Sequence, residues 1–411
     1  MKNALLLIVV LLLTSSMFAK TITVGKLSGI KTIRKALGLV NDGDTIRITE
    51  GIYREKGLVI KKQIVLTGIN YPVIDGEHQY EVIAIRADAV VVEGLKVVNS
   101  GISSMDDFAG IKIYNSKKVI IRNNILANTF FGIYAQFGKY CIIENNRLIG
   151  SSKNEQQSGN GIHCWKSDSM QIKNNQIRGH RDGIYFEFVT NSIIHKNISE
   201  KNLRYGLHFM FSNNDSYIDN QFRNNGAGVA VMFSHHVTML NNLFTQNWGD
   251  AAYGILLKEI SDSRIEKNQF IENTVALFLE GANRIDVQKN SFKSNGWAMK
   301  IQASCMDITV SANNFLSNTF DVGTNGSLVL NKFRQNYWDK YEGYDLDKNN
   351  KGDIPYRPVS MYAVIVERNP TAMILFRSFI TALFDKTEKL IPSLTPENLK
   401  DDFPLMKPLK L

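Results

Sequence analysis

The 411-residue chain has only three cysteines, Cys141, Cys164 and Cys305, too few for a secreted scaffold built on disulfides. They stand at different points of the repeat described below, so they read as buried free thiols. Lysine and arginine outnumber aspartate and glutamate by 48 to 39, a formal charge of +9. Yet there is no basic run and no basic stripe interleaved with aromatics, and nucleic acid is not indicated. A charge so spread suits an anionic polymer, a membrane surface or an acidic partner equally well. A stable membrane anchor is also lacking: the apolar run at residues 4–13 is too short to span a bilayer. It follows Lys2 and precedes Met17-Phe18-Ala19, the pattern of a cleavable signal peptide over residues 1–19, and no cysteine near Ala19 marks a lipoprotein. Export to the periplasm or beyond is the expectation.

What the sequence has is a repeat of about 22 residues. Gly110, Gly132, Gly161, Gly183, Gly206, Gly228, Gly254, Ala276 and Ala298 each precede a short alternating apolar segment. An asparagine stands fourteen residues after each of the first eight markers: Asn124, Asn146, Asn175, Asn197, Asn220, Asn242, Asn268 and Asn290. One and three residues after the markers the chain is apolar, as in Ile111 and Ile113 or Val229 and Val231. Period-two apolarity means a strand with one buried face. Phe222, Phe244, Phe270 and Phe292 share one offset and should stack inside, while the asparagines fall at bends where their amides can bond neighbouring coils. Leucine-rich repeats are excluded, since neither their leucine spacing nor their helix is present. The fold predicted is all-β, a right-handed parallel β-helix.

A solenoid needs capped ends. Residues 32–40 read as a short amphipathic helix opening at Thr32. The repeat dissolves after about residue 335, and a helical stretch starts at Asn369-Pro370 and ends near Pro392, with Pro370 in its first turn. Arg377 and Asp385 interrupt its apolar face, so it is amphipathic and not a membrane span. The division expected is a signal peptide (1–19), a β-helix with its N-terminal cap (20–335), and a C-terminal cap and docking segment (336–411).

The chemistry should lie on the outward positions two and four residues after each marker. The first column reads Lys112, Tyr134, His163, Tyr185, His208, Ala230, Leu256, Phe278 and Lys300; the second reads Tyr114, Gln136, Trp165, Glu187, Met210, Met232, Lys258, Glu280 and Gln302. A solvated face would show Ser, Thr, Asn and Lys. With coils about 4.8 Å apart, Met210 lies over Met232, with His208 beside Met210. Imidazole and thioether make a soft, neutral donor set suited to Cu(I); the same residues could equally floor an apolar contact patch. His235, His236 and Met239 follow the bend of the Met232 coil and read as surface residues.

Parallel β-helices also include lyases, hydrolases and epimerases acting on acidic polysaccharides. Here the outward carboxylates Glu187 and Glu280 are four coils apart, roughly 19 Å, against the roughly 5–9.5 Å a glycosidase pair needs. Arg181 and Asp182, at a turn beside that face, are the best remaining acid–base candidates; insertions at residues 151–160 and 248–251 could bring in others. Residues 345–353 alternate oxygen ligands as calcium loops do, but lack the glycine at position six and the glutamate at twelve. A hydrogen-bonded acidic turn is the simpler reading.

Several segments outside the strands resemble those of NosD-type proteins: residues 336–347 (NYWDKYEGYDLD), 352–358 (GDIPYRP), 366–378 (VERNPTAMILFRS) and 401–408 (DDFPLMKP). Within the coils, residues 207–212 (LHFMFS) and 231–234 (VMFS) are similar to that family's paired motifs. The resemblance implies a periplasmic, non-enzymatic accessory protein that receives or passes copper, or docks partners, while the copper sites of nitrous oxide reductase are assembled. Its implied partners are an ABC-type ATPase and permease, a copper-carrying lipoprotein and the reductase itself, with peripheral membrane contact through the permease at the C-terminal helix. It strengthens the Cu(I) reading of His208, Met210 and Met232, with His163 as an outer candidate; these ligands rest on column geometry.

Overall fold

The computed structural model describes residues 19–103, 105–151, 154–326, 330–390 and 399–411; residues 1–18 of the expected signal peptide lie outside them. The described chain winds into a parallel β-solenoid of about 14 turns. Each coil places one short strand in each of three all-parallel sheets, of 12, 14 and 13 strands. The strands that open at the glycine markers form the 12-stranded sheet, here sheet I; the 14-stranded sheet II and the 13-stranded sheet III follow in each coil.

The alternation seen in the sequence is the alternation of the wall. In residues 227–232 Val229 and Val231 are fully buried in the interior, and Met232 is half-buried on the outer side. The interior phenylalanines stack as a column, Phe222–Phe244–Phe270–Phe292–Phe315, with centroids 4.8–5.4 Å apart. Trp338 closes it, 4.0 Å from Phe315.

The bend between sheets II and III is two residues long. The first adopts a left-handed backbone, as at Asn123 (φ 55°) and Asn145 (φ 55°), a region asparagine enters more readily than most residues. The second is the register asparagine. Its Oδ1 accepts from both the backbone N–H and the Nδ2 of the asparagine one coil earlier, as from Asn220 to Asn242 at 2.9 and 3.0 Å. This ladder runs from Asn124 to Asn336 and ends on a carboxylate: Asp401 accepts from Asn336 N, Asn336 Nδ2 and Trp338 Nε1. A second ladder, Asn202–Asn225–Asn247–Asn273–Asn295–Asn318, repeats the backbone N–H to Oδ1 bond at the bend from sheet III back to sheet I.

Both ends are covered. Helix α1 (Ile33–Leu39) is capped by the Thr32 side chain and buries Ile33 and Ala36 over the first coils. At the other end the helical region differs from the expected single stretch. A helix α2 (Met361–Arg368), capped by Ser360, comes first; Pro370–Leu375 is a 3₁₀ turn, and α3 spans Phe379–Leu390. Pro370 cannot continue α2, and Arg377 (φ 60°) breaks the path between the later two. Ser360 as a cap ahead of an apolar run was the unread signal for α2.

Candidate functional site

Sheet I sets the register of the outward columns. Met210 pairs with Met232 and His208 with Ala230; Tyr185 and Glu187 are their neighbours one coil earlier, Lys258 one coil later. Parallel in-register strands make such neighbours touch, since the same side of the pleat recurs every coil. The two thioethers therefore sit on adjoining rungs, half-buried, with the imidazole of His208 in the next outward position on the Met210 strand.

The His208 column is outward from the coil but not exposed. His208 is 5% accessible, between the rings of Tyr185 and Tyr205 at 4.8 Å each. Asp182 beside it is 0% accessible. The Asp182 carboxylate accepts from the Tyr205 backbone N–H at 3.3 Å, pairs with Arg204 at 3.3 Å and Arg181 at 3.9 Å, and stands 3.7 Å from His208 Nδ1. Arg204 Nη2 is 3.4 Å from the same nitrogen. Both contacts of the ring are thus to Nδ1, and His208 Nε2 is buried without a hydrogen-bond partner. A buried imidazole nitrogen left open in this way is either unsatisfied at a cost of about 1–3 kcal/mol or kept for a ligand.

His163 lies two rungs away, on the far side of Tyr185. It stacks on Tyr134 at 4.5 Å, and its Nδ1 faces the Asn160 amide at 3.3 Å. Asn160 belongs to the insertion noted at residues 151–160. Burial, reinforced by the charge of Arg181, pushes the His163 pKa down to about 3, so the ring is neutral and its unpartnered Nε2 carries no competing charge. The register therefore places Met210, Met232 and His208 at neighbouring outward positions and His163 two rungs, about 10 Å, further along.

His235 and His236 are exposed, but Met239 is fully buried. It is an interior residue of sheet II, between Tyr217 and Ile265, and not a surface residue; the bend between the sheets resets the inward phase. Cys141, Cys164 and Cys305 are free and buried. Residues 345–353 form a turn in which Asp345 accepts from the backbone of Asn349 and Asn350 and Asp353 from that of Leu346.

One feature escaped the sequence reading. Phe188, Phe211 and Phe233, immediately after Glu187, Met210 and Met232, are exposed and stacked, with centroids 5.2 and 5.0 Å apart. All three have left-handed backbones (φ 51–54°), where a bulky side chain is disfavoured by about 1–2 kcal/mol. Their shared offset, five residues after the marker, was the available signal. The carbohydrate chemistry gains little from the geometry. Glu187 and Glu280 are four register steps apart, Glu280 is paired with Lys258 at 3.2 Å, and Asp182 is sealed among arginines. Among the described residues no group of three or more His, Cys, Asp or Glu side chains converges on a metal position; thioethers stand outside that donor set.

Among solved structures, the Dettilon tailspike protein matches with a TM-score of 0.59 at 12% identity, covering 71% of this chain and 64% of that one, a likeness of fold alone. Two curated relatives are more informative, both named probable ABC transporter binding protein NosD. One from Stutzerimonas stutzeri is 28% identical over 357 residues, covering 82% of this chain and 80% of that protein. One from Pseudomonas aeruginosa is 27% identical over 354 residues, covering 81% and 82%. The family model described as periplasmic copper-binding protein (NosD) matches residues 150–343, a span that holds His163, His208, Met210, Met232 and the phenylalanine stack. The chain is thus similar to NosD proteins along about four-fifths of its length, and the model of that family matches its central coils.

Proposed function

We propose that this protein takes up and hands on Cu(I) as cargo during assembly of the copper sites of nitrous oxide reductase, alongside an ABC transporter, and that Met210, Met232 and His208 hold the ion. The observation that carries the reading is the two thioethers on adjoining rungs beside an imidazole whose Nε2 has no partner. The donor set fits the cargo: two neutral sulfurs and a neutral nitrogen favour a soft monovalent ion over Ca²⁺ or Mg²⁺. The Asp182 carboxylate, 3.7 Å from Nδ1, favours the tautomer with the proton on Nδ1 and the lone pair on Nε2, the orienting role a carboxylate plays for metal-bound histidine. His163, neutral and buried two rungs away, is a second stopping point along the same column.

The phenylalanine stack supports the hand-over half of the proposal. It follows directly on Glu187, Met210 and Met232, so a copper-carrying lipoprotein or the reductase docking on Phe211 and Phe233 would meet the thioethers at the edge of its contact. The test is a competition titration of the exported protein with Cu(I) and a chromogenic Cu(I) chelator. One ion per chain is expected, with affinity reduced about tenfold or more in His208→Ala, Met210→Ala and Met232→Ala. Affinity unchanged in all three variants would remove the site.

A further inference from the structure

The C-terminal helices carry more apolar surface than the fold uses. Their inner side is complete: Tyr362, Ala363 and Val366 of α2 pack with Val275, Trp297 and Phe320 of sheet I, and Ala372, Leu375 and Phe384 lean on that cluster. A second apolar side faces away from it. Ile374 is 88% accessible and Phe379 82%, and Met373, Phe376, Ile380 and Leu383 are exposed beside them. On α3, positions 379, 380 and 383 share one side of the helix. A solvated helix needs one apolar stripe, and this segment has two.

The charges are sorted as well. Glu367 of α2 is turned inward onto Lys300 at 2.6 Å, and the Glu388 carboxylate accepts from the Met361 backbone N–H. Arg368, Arg377 and Lys386 are exposed, and the Arg377 guanidinium lies 5.3 Å from the centre of the Phe376 ring. Large apolar side chains and cations thus share the outer surface, while the described carboxylates of the segment are engaged within the protein. No helix among the described residues is long and apolar enough to cross a membrane, and α3, with 12 residues, is about 18 Å long. Short, amphipathic and cation-edged, such a segment lies in the plane of a bilayer surface.

We propose that the outer side of the 370–386 segment seats directly on an anionic lipid surface, with Ile374, Phe379, Ile380 and Leu383 entering the headgroup–acyl boundary and Arg368, Arg377 and Lys386 meeting lipid phosphates. The occupant is lipid because the exposed apolar side chains are edged by cations, and anionic headgroups supply the opposite charge. The segment is anchored before and after: α2 packs on sheet I, and Asp401 and Leu405 bridge the last coil at Phe333 and Tyr337. Insertion would hold the solenoid against the membrane without a spanning helix. This inference is independent of the copper reading.

The test is flotation of the exported protein with vesicles of phosphatidylethanolamine and phosphatidylglycerol, and separately with phosphatidylcholine vesicles. The protein should float with the anionic vesicles and about tenfold less, or lower still, with the neutral ones. Ile374→Glu with Phe379→Glu should abolish flotation, and Arg377→Gln with Lys386→Gln should weaken it on anionic vesicles only. Ile374 and Phe379 are more than four-fifths accessible and Arg377 and Lys386 are exposed, so an unchanged thermal melt accompanies each pair. Wild-type protein left at the bottom with anionic vesicles, or a double-glutamate variant that floats like wild type, overturns the proposal. Capture by a detergent-solubilised permease with no vesicle binding would assign the surface to a protein contact and overturn it equally.

Discussion

Asp401→Ala should release the C-terminal end of the solenoid while leaving its middle intact. The Asp401 carboxylate is fully buried and accepts five hydrogen bonds: Gln335 N at 2.9 Å, Asn336 N at 2.8 Å, Asn336 Nδ2 at 3.0 Å, Trp338 Nε1 at 3.2 Å and Phe403 N at 3.2 Å. It stands where the next coil would have placed an asparagine, so it ends the ladder as a rung without a coil. The alanine variant strands the Asn336 and Trp338 donors in a buried setting. Asn336 Nδ2 keeps its bond to the Val310 carbonyl, and each of the other two abandoned donors costs about 1–3 kcal/mol, so about 2–6 kcal/mol is lost locally, with water relieving the partly exposed Gln335 and Phe403 amides. Coils interact with nearest neighbours only, so the loss should be confined to the last one or two coils and the strap at residues 399–405. Hydrogen exchange resolved by residue measures this: amides of residues 333–338 should lose protection, while those of 207–209 and 229–231 keep theirs. Unchanged protection at the end coil would refute the role of the carboxylate. Equal loss at the end and in the middle would refute the nearest-neighbour argument.

Two further outcomes follow from the interior. Phe270→Ala removes a central ring of the stacked column, between Phe244 and Phe292 at 4.9 and 4.8 Å; a loss of about 3–5 kcal/mol in denaturant unfolding is expected, and a loss under about 1 kcal/mol would mean the column closes up. Asp215 is buried, with Oδ1 accepting from the Ser192 N–H at 2.7 Å and Oδ2 unpartnered; burial, with the nearby Asp168 charge adding to it, pushes its carboxyl up to about 8. A carboxyl raised above its unfolded value of 3.8 contributes most below about pH 4 and loses that contribution as pH climbs toward 8. Asp215→Asn should therefore stabilise the protein at pH 8 by about 1–3 kcal/mol and hardly at pH 4.5; equal effects at the two pH values would show that the carboxyl is ionised throughout.

Where the sequence was legible, it was so because a solenoid converts sequence distance into spatial distance at a fixed rate. The Asn124-to-Asn290 register became a hydrogen-bonded ladder, and the Phe222-to-Phe292 register became a stacked column. Asn202-to-Asn318 was equally present at its own fixed offset, nineteen residues after the markers for most of its length, but a polar residue beyond the alternating segment gave no reason to look. Pairing across sheet I was legible for the same reason, which is why Met210 and Met232 could be placed on adjoining rungs. What covers a face was not legible. The turn that seals Asp182 with Arg181 and Arg204, and the insertion that lays Asn160 against His163, depend on loop paths for which periodicity carries no information. The inward phase of Met239 was lost at a bend, and the cap role of Asp401 depends on a contact 65 residues distant in sequence from Asn336.

That division bears on how the proposed copper site would work. The thioethers come from the repeat itself, and their spacing is fixed by the sheet to within the tolerance of a hydrogen-bonded ladder. The imidazole is held by non-repeating parts, a buried carboxylate and two arginines that its own strand does not supply. Substituting Met210 or Met232 should remove a donor and leave its surroundings in place, whereas substituting Asp182 should leave every donor present and misdirect one of them. Under the copper proposal the sheet fixes the two methionine backbones while their half-buried thioethers keep rotamer freedom, and the imidazole is confined between Tyr185 and Tyr205. If these residues hold Cu(I) as proposed, release would need no unwinding of the solenoid, only a swing of the methionine side chains, which a partner pressing on Phe211 and Phe233 beside them is placed to cause.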